Sequence, residues 1–245
     1  KMNDVEALLP LNDLVEKYWD EYNLDEIPQT VWDSATIDGN IYGVPFISNT
    51  FILMYRADLF EKYELEAPTT YDEVMAACEV LAEEDSIDMP FTMNLHAGWA
   101  WEIEYSHFIG SFGGQYINED NTPAFNSEAG IAGLAKMKEV VDACMGQEGL
   151  TYSIDDSEIG MEVGSIAFIN VWASRAPGMD DPEKSDFVGM INFAPAPAPD
   201  PEGKLGGSAW IDAYSIPVNT DVDPDLAFRI IMETVDYDSQ VAGSE

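Results

Sequence analysis

Apolar and polar positions repeat along this chain with two different periods, and the switches between them mark out its elements. From Val5 to Tyr22, Leu8, Leu11, Leu14, Val15, Tyr18 and Trp19 recur at helical spacing interrupted by Pro10, which predicts one or two short helices. Asp38-Gly39-Asn40 predicts a tight turn. Val44-Pro45 and Phe51-Ile52-Leu53-Met54-Tyr55 then read as two extended apolar segments in succession, interrupted by Ser48-Asn49-Thr50. A polar break inside a buried strand is unfavourable unless its groups are satisfied or meet a ligand, so this stretch is the first candidate for a hinge or a site.

The remaining pattern alternates strands with helices. Ala57 to Tyr63 is a short helix closed by Ala67-Pro68, and Thr69-Thr70-Tyr71-Asp72-Glu73 places hydroxyl cap candidates ahead of acids, predicting a helix to about Glu84. Met89 to Asn94 is a short buried strand, His96 to Trp101 an aromatic-rich corner, and Trp101 to Phe112 a helix ending at Gly113-Gly114. Ser127 to Met145 is strongly periodic, with Ile131, Leu134, Ala135, Met137, Val140 and Val141 assigned to its inner side. A helix end over Ile159 to Val163, a turn at Gly164 and a strand over Ile166-Ala167-Phe168-Ile169 follow, stopping at Asn170-Val171-Trp172. Arg175 to Asp186 reads as a polar loop, Val188 to Phe193 as a strand, and the proline run from Ala194 to Pro201 as extended chain. After a loop at Gly203 to Gly207 comes a last strand from Trp210 to Pro217, then a helix opened by Asp223-Pro224-Asp225. This is an α/β pattern without internal repeats.

Composition narrows the chemistry. The 245 residues are 46% hydrophobic, ample for a packed core, and no apolar run reaches the roughly 18–20 residues needed to span a bilayer. The N-terminal Lys1-Met2-Asn3-Asp4 lacks the basic and apolar regions of a signal peptide. Ten basic residues against 47 acidic ones give a formal charge of −37, which argues against nucleic acid or an anionic membrane as partner and favours a neutral or cationic ligand. The acids are spread along the whole length, as on a solvated surface. Cys78 and Cys144 both fall in helical patterns; they read as two free, buried thiols or as a disulfide that only an oxidising compartment would permit. Neither cysteine spacing nor the two histidines, His96 and His107, suggests a metal, and no cofactor is expected.

Three segments carry a family resemblance: Gly39-Asn40-Ile41-Tyr42-Gly43-Val44-Pro45, Met54-Tyr55-Arg56-Ala57-Asp58-Leu59-Phe60 and Ala67-Pro68-Thr69-Thr70-Tyr71-Asp72-Glu73. With Gly113-Gly114, Gly164-Ser165-Ile166-Ala167-Phe168 followed by Trp172, Gly206-Gly207 and Ser215-Ile216-Pro217, they resemble the extracellular solute-binding proteins of bacterial sugar importers, the group that includes maltose-binding protein. The resemblance covers nearly the whole chain. It implies a two-lobed periplasmic-binding-protein fold with crossing hinge strands and a sugar bound in the cleft between lobes. It also implies a fragment, incomplete at both ends, with 1–48 part of lobe one, 49–208 lobe two and 209–245 a return to lobe one. The expected partners are a small carbohydrate and a membrane ABC permease, and the expected state is a periplasmic or extracellular monomer, free or lipid-tethered.

A neutral sugar offers hydroxyls and flat apolar faces, so its receptor needs aromatic plates beside a few polar groups. By resemblance, Asn49 falls where the family places a polar contact, and Trp99 and Trp172 where it places stacking aromatics, Trp172 with a spacing one residue shorter. His96, Trp210 and Asp212 stand in segments of similar mixed character, and Arg175 is the natural basic partner for Asp212. Relative to maltose-binding protein, neutral Asn49 and Ala97 stand where acidic contacts are expected, which implies a different ligand chemistry. Each tryptophan has a core or rim alternative, Asn49 could serve backbone groups alone, and His96 could be a cap. The rival reading is a glycoside hydrolase. That chemistry needs two carboxyls about 5–10 Å apart, and the nearest candidates, Glu102 and Glu104, would leave a helix on different faces. A calcium-dependent adhesion domain would need organised Asp/Asn loops, and Asn118-Glu119-Asp120-Asn121 reads as a plain turn.

Overall fold

The computed structural model describes residues 7–98, 100–203, 205, 209–236 and 239, with the backbone alone at Ala100. The chain forms two compact units, one made of Lys1–Asn49 with Trp210–Glu245 and the other of Thr50–Ala209.

In the first unit, α1 (Asn12–Tyr18) and α2 (Gln29–Ser34) precede a hairpin of β1 (Thr36–Ile37) and β2 (Asn40–Ile41). Asp38 and Gly39 both take positive φ, 50° and 79°, the backbone that a two-residue hairpin turn requires. Leu11, Val15, Tyr18, Trp32 and Val44 pack with Ile216, Phe228 and Met232 from the C-terminal stretch into one apolar cluster. The Tyr18 hydroxyl donates to Asp225 (2.6 Å), and Lys17 pairs with the same carboxylate.

The strand β3 (Val44–Arg56) carries the chain into the second unit without a break. Sequence spacing predicts two segments here; the structure has one strand of 13 residues, buried at both ends and open in the middle, where Ser48 and Thr50 are exposed. Because the polar residues sit where the strand is uncovered, they need no interruption of its hydrogen bonding.

Onward from β3 come α3 (Ala57–Lys62), α4 (Tyr71–Leu81), β4 (Met89–Thr92), α5 (Ala100–Ser111), α6 (Glu128–Cys144) and α7 (Ile154–Glu162). Then follow β5 (Ile166–Trp172), α8 (Ala176–Met179), β6 (Ile191–Pro195), β7 (Ala209–Tyr214) and α9 (Pro224–Val235). The sheet order is β4-β5-β3-β6, and β7 also pairs with β3. β4 and β5 run parallel; β3 is antiparallel to β5 and to β6. Every residue of β5 is buried, as expected of a strand covered on both faces. Thr70 caps α4 in a reciprocal box with Glu73, and Asp223 caps α9 ahead of Pro224, as the sequence predicts. Part of the expected polar loop after Arg175 is the short α8, and the strand expected at Val188 to Phe193 lies slightly later, as β6.

The inner face of α6 differs from the expected one. Ile131 and Leu134 are exposed (62% and 54%), and the buried line runs through Gly130, Gly133, Met137, Val140, Val141 and Cys144. A Cβ on Gly133 would stand 2.9 Å from the Phe108 backbone carbon, and one on Gly130 would stand 2.0 Å from the Phe125 carbonyl oxygen. The glycines let α6 approach α5 and the Phe125 loop at backbone distance, and this rotation turns the two aliphatic side chains outward.

Cys78 on α4 and Cys144 on α6 are joined in a disulfide with Cα atoms 5.4 Å apart. The free-thiol reading is thereby corrected. The sequence placed each cysteine in a helical pattern, but only the packing of α4 on α6 brings the two together within the same core cluster.

Candidate ligand-binding site

In an open α/β sheet, side chains beyond the carboxyl ends of parallel strands face a shared crevice. Here the parallel pair is β4 and β5, and the segments leaving their carboxyl ends carry Asn94 and His96 on one side and Trp172 and Arg175 on the other. Trp172 is the last residue of β5 and lies directly across from Phe51 of β3. The two rings meet edge to face with centroids 4.3 Å apart, and Ile103 of α5 completes the cluster. The indole is 9% exposed. Aromatic pairs of this geometry contribute about 0.5–1.5 kcal/mol beyond area burial, so Phe51 fixes the angle of the Trp172 ring. Asn49 is two positions ahead of Phe51 on β3, partly exposed.

His96 is exposed, and its backbone N–H donates to the Tyr152 carbonyl (2.9 Å). The neighbouring Asp156 carboxyl is held below the usual carboxylate range, first by the Ser153 hydroxyl and N–H that cap α7 and then, more weakly, by the charge of His96. Arg175 pairs with Glu158 and, at 3.0 Å, with Asp155, so it has two acidic partners within its own unit. In the first unit, Trp210 is 49% exposed and Asp212 is exposed, both on β7. Trp99 lies outside the described residues. The sheet therefore brings Trp172, Arg175 and His96 to one end of the second unit.

Behind Phe51 lies a set of buried polar groups that the sequence reading did not assemble. Glu104 is fully buried and its Oε1 accepts from the backbone N–H and the side-chain amide of Asn94, at 3.0 and 2.7 Å. His107, also buried, has Nδ1 at 3.5 Å from Glu104 Oε2 and packs its ring edge-on against Phe51 at 4.1 Å. Thr92 and Asn170 are buried nearby in β4 and β5. Tyr71, whose hydroxyl bonds Ser111, has its pKa pushed up to about 12 by burial, with the Glu104 charge adding to the rise. The signal available in the sequence was the i, i+3 spacing of Glu104 and His107 on a helix otherwise apolar on that face. Glu102, the other carboxyl of the hydrolase pair, is exposed while Glu104 is buried.

Among the described residues, no group of three or more His, Cys, Asp or Glu could hold a metal, and no helix is long and apolar enough to cross a membrane.

Comparison with known proteins agrees with this architecture. An ABC transporter solute-binding protein from Agrobacterium radiobacter K84, solved in complex with ribitol, superposes with a TM-score of 0.82 at 24% identity, over 96% of this chain and 59% of that one. Another from Agrobacterium vitis S4, with bound D-mannitol, gives 0.81 at 23% identity, over 98% and 58%. These likenesses show the fold. An uncharacterized ABC transporter extracellular-binding protein of Pyrococcus horikoshii is 33% identical over 109 residues, 44% of this chain and 24% of that protein. The chain thus spans about three fifths of the structural relatives and matches a quarter of the sequence relative. The family model described as bacterial extracellular solute-binding protein matches residues 1–229, and it is to this family that the chain belongs.

Proposed function

We propose that the chain is the ligand-binding part of a bacterial ABC importer and that it takes a neutral polyol or sugar. The observation that carries this reading is the Phe51–Trp172 ring pair at the carboxyl end of the β4–β5 pair, in a fold whose solved relatives include proteins holding ribitol and D-mannitol. The exposed part of the indole offers an apolar surface to the C–H groups of a polyol, and His96 and Arg175, on the segments that leave the same strand ends, offer donors for its hydroxyls. With −37 formal charges on the chain, an anionic ligand would be repelled.

The first and second units correspond in this reading to lobe one and lobe two, joined by the two chain passages at Asn49–Thr50 and Ala209–Trp210, where a hinge would act. The ligand-loaded form would be presented to a membrane permease by a monomer in the periplasm or outside the cell, tethered by lipid or free. The disulfide supports an oxidising compartment. A non-catalytic role is favoured because Glu104 is fully buried and bonded to Asn94 while Glu102 is exposed, so the two carboxyls do not share a surface on which a glycosidic bond could lie.

Isothermal titration of the chain with ribitol, D-mannitol, maltose and a sugar phosphate tests the proposal. Saturable binding of one or more of the neutral compounds and none of the phosphate is expected. Binding of the phosphate alone, or of none of the four, would contradict it.

A further inference from the structure

Five polar side chains of the second unit, Thr92, Asn94, Glu104, His107 and Asn170, are each at least nine-tenths buried. The bonds from Asn94 to Glu104 Oε1 satisfy part of this set. Thr92 Oγ1, Asn94 Oδ1, Glu104 Oε2, both ring nitrogens of His107 and Asn170 Oδ1 have no hydrogen-bond partner among the described residues. A buried polar atom left unmet is strongly unfavourable, so a set of this size calls for an occupant.

His107 and Asn170 both line a small cavity of about 10 Å³, whose other walls include Tyr71, Met93, Phe108 and Pro197. That is room for about one water molecule and for nothing larger. The groups at the cavity decide what the occupant must be. His107 Nδ1 lies 3.5 Å from Glu104 Oε2 without a hydrogen bond, and Nε2 can meet an occupant as donor or as acceptor, while Asn170 Oδ1 can only accept. A molecule that donates to Asn170 and either donates to or accepts from His107 in so small a space must be small and do both, and water does.

The same histidine ring rests edge-on against Phe51, and Phe51 rests edge-on against Trp172. Whatever fixes His107 therefore fixes the two rings in front of it. We propose that the cavity between His107 and Asn170 is the seat of one internal water molecule, which bridges His107 Nε2 and Asn170 Oδ1 and, through His107 and Phe51, sets the angle of the Trp172 ring. The seat stands on the structure alone; the consequence for ligand affinity rests on the function proposed above. His107 and Asn170 are positioning residues in this account.

A high-resolution crystal structure of the chain tests the seat. Density for one water within hydrogen-bond distance of both atoms is expected, and an empty cavity would overturn the proposal. Asn170→Leu, close in size, removes one acceptor; its crystal structure should show the cavity dry and the Trp172 ring turned, and its affinity for D-mannitol should fall about fivefold or more. An unturned Trp172 ring in the dry variant would overturn the positioning role. His107→Gln keeps an acceptor for the water but removes the ring that rests on Phe51, so it should retain the water while the Trp172 ring turns and affinity falls as in Asn170→Leu; an unturned Trp172 ring in this variant would also overturn the positioning role. Should the wild-type chain bind no D-mannitol, the function proposed above fails for that ligand, and the wild-type density and the Trp172 angle in the variant still decide this inference. If Asn170→Leu does not fold, the wild-type density and His107→Gln decide it.

Discussion

The two units hold themselves together by different means. The second has a core that runs from Leu53 through Tyr71, Phe91 and Phe168 to Val140, with α4 and α6 tied by the Cys78–Cys144 bond, and it encloses a polar set at its centre. Among the described residues, the first has one smaller cluster, with Tyr18 and Lys17 on Asp225 at its edge, and α9 buries Phe228 and Met232 while leaving Leu226 and Ile230 51% and 56% exposed. The difference teaches where covalent cross-linking is placed. Trp172, His96 and Arg175 stand on the disulfide-tied unit, whereas β7 of the first unit offers Trp210 and Asp212 from an exposed strand.

That contrast can be broken most forcefully at the disulfide. It closes a separation of 66 residues, for which chain-entropy arguments give a stabilisation of about 4 kcal/mol. Replacing both cysteines by serine should lower stability by about 2–4 kcal/mol, and hydrogen exchange should show the lost protection in α4 and α6 with α1 and α9 unchanged. Equal losses in both units would abolish the distinction.

A smaller effect is expected at Arg56 and Asp58. Arg56 is 5% exposed, lies over the Phe187 ring at 3.4 Å, and donates to both Asp58 oxygens, at 2.8 and 2.7 Å. The guanidinium holds the Asp58 carboxyl below its ordinary value of 3.8. A carboxylate with a lowered folded pKa contributes stability above its unfolded value, and the contribution is lost as pH falls through the folded value. Asp58→Asn should therefore lower stability by about 1 kcal/mol near neutral pH, since the carboxylate is partly solvated. The gap between variant and wild-type melting temperatures should close in acid below 3.8. A gap that persists or widens in acid would refute the assignment.

Least of all should come from Lys17→Met in the first unit. Its ion pair with Asp225 is exposed, and Tyr18 still donates to the same carboxylate. The melting temperature should stay within the scatter of the measurement, and a drop comparable to that of Asp58→Asn would show that the first unit depends on this pair more than its exposure implies.

Much of the fold was legible because local chemistry and tertiary packing agree. The Thr70 and Glu73 cap, the Asp38-Gly39 turn and the proline start of α9 are short-range devices whose residues state their own conformation. The α6 face was misread because hydrophobic periodicity counts side chains and gives no weight to glycine. At Gly130 and Gly133 the absence of a side chain is what makes the contact. The polar middle of β3 looked like a break because its exposure could not be seen in sequence. For the site, Trp172 was legible as a strand-end residue, while Phe51 as its ring partner needed the β3–β5 register; Arg175 was expected in a polar loop as a partner for Asp212, and its pairing with Asp155 and Glu158 needed the packing of α7. Glu104 and His107 come from a helix and Asn170 from a strand, His107 and Asn170 being 63 positions apart in the sequence, so only the packed core shows them as one set.

The central claim is that the Trp172 ring forms part of the surface on which a neutral polyol or sugar binds. Its most direct test is a fluorescence titration with ribitol and D-mannitol of the wild-type chain, Trp172→Ala and, as a control from the same small cluster, Ile103→Ala. Saturable binding by the wild type, weakening by tenfold or more (about 1.4 kcal/mol) in Trp172→Ala, and near wild-type affinity in Ile103→Ala are predicted. Wild-type affinity in Trp172→Ala, or equal losses in the two variants, would remove Trp172 from the ligand surface and contradict the account.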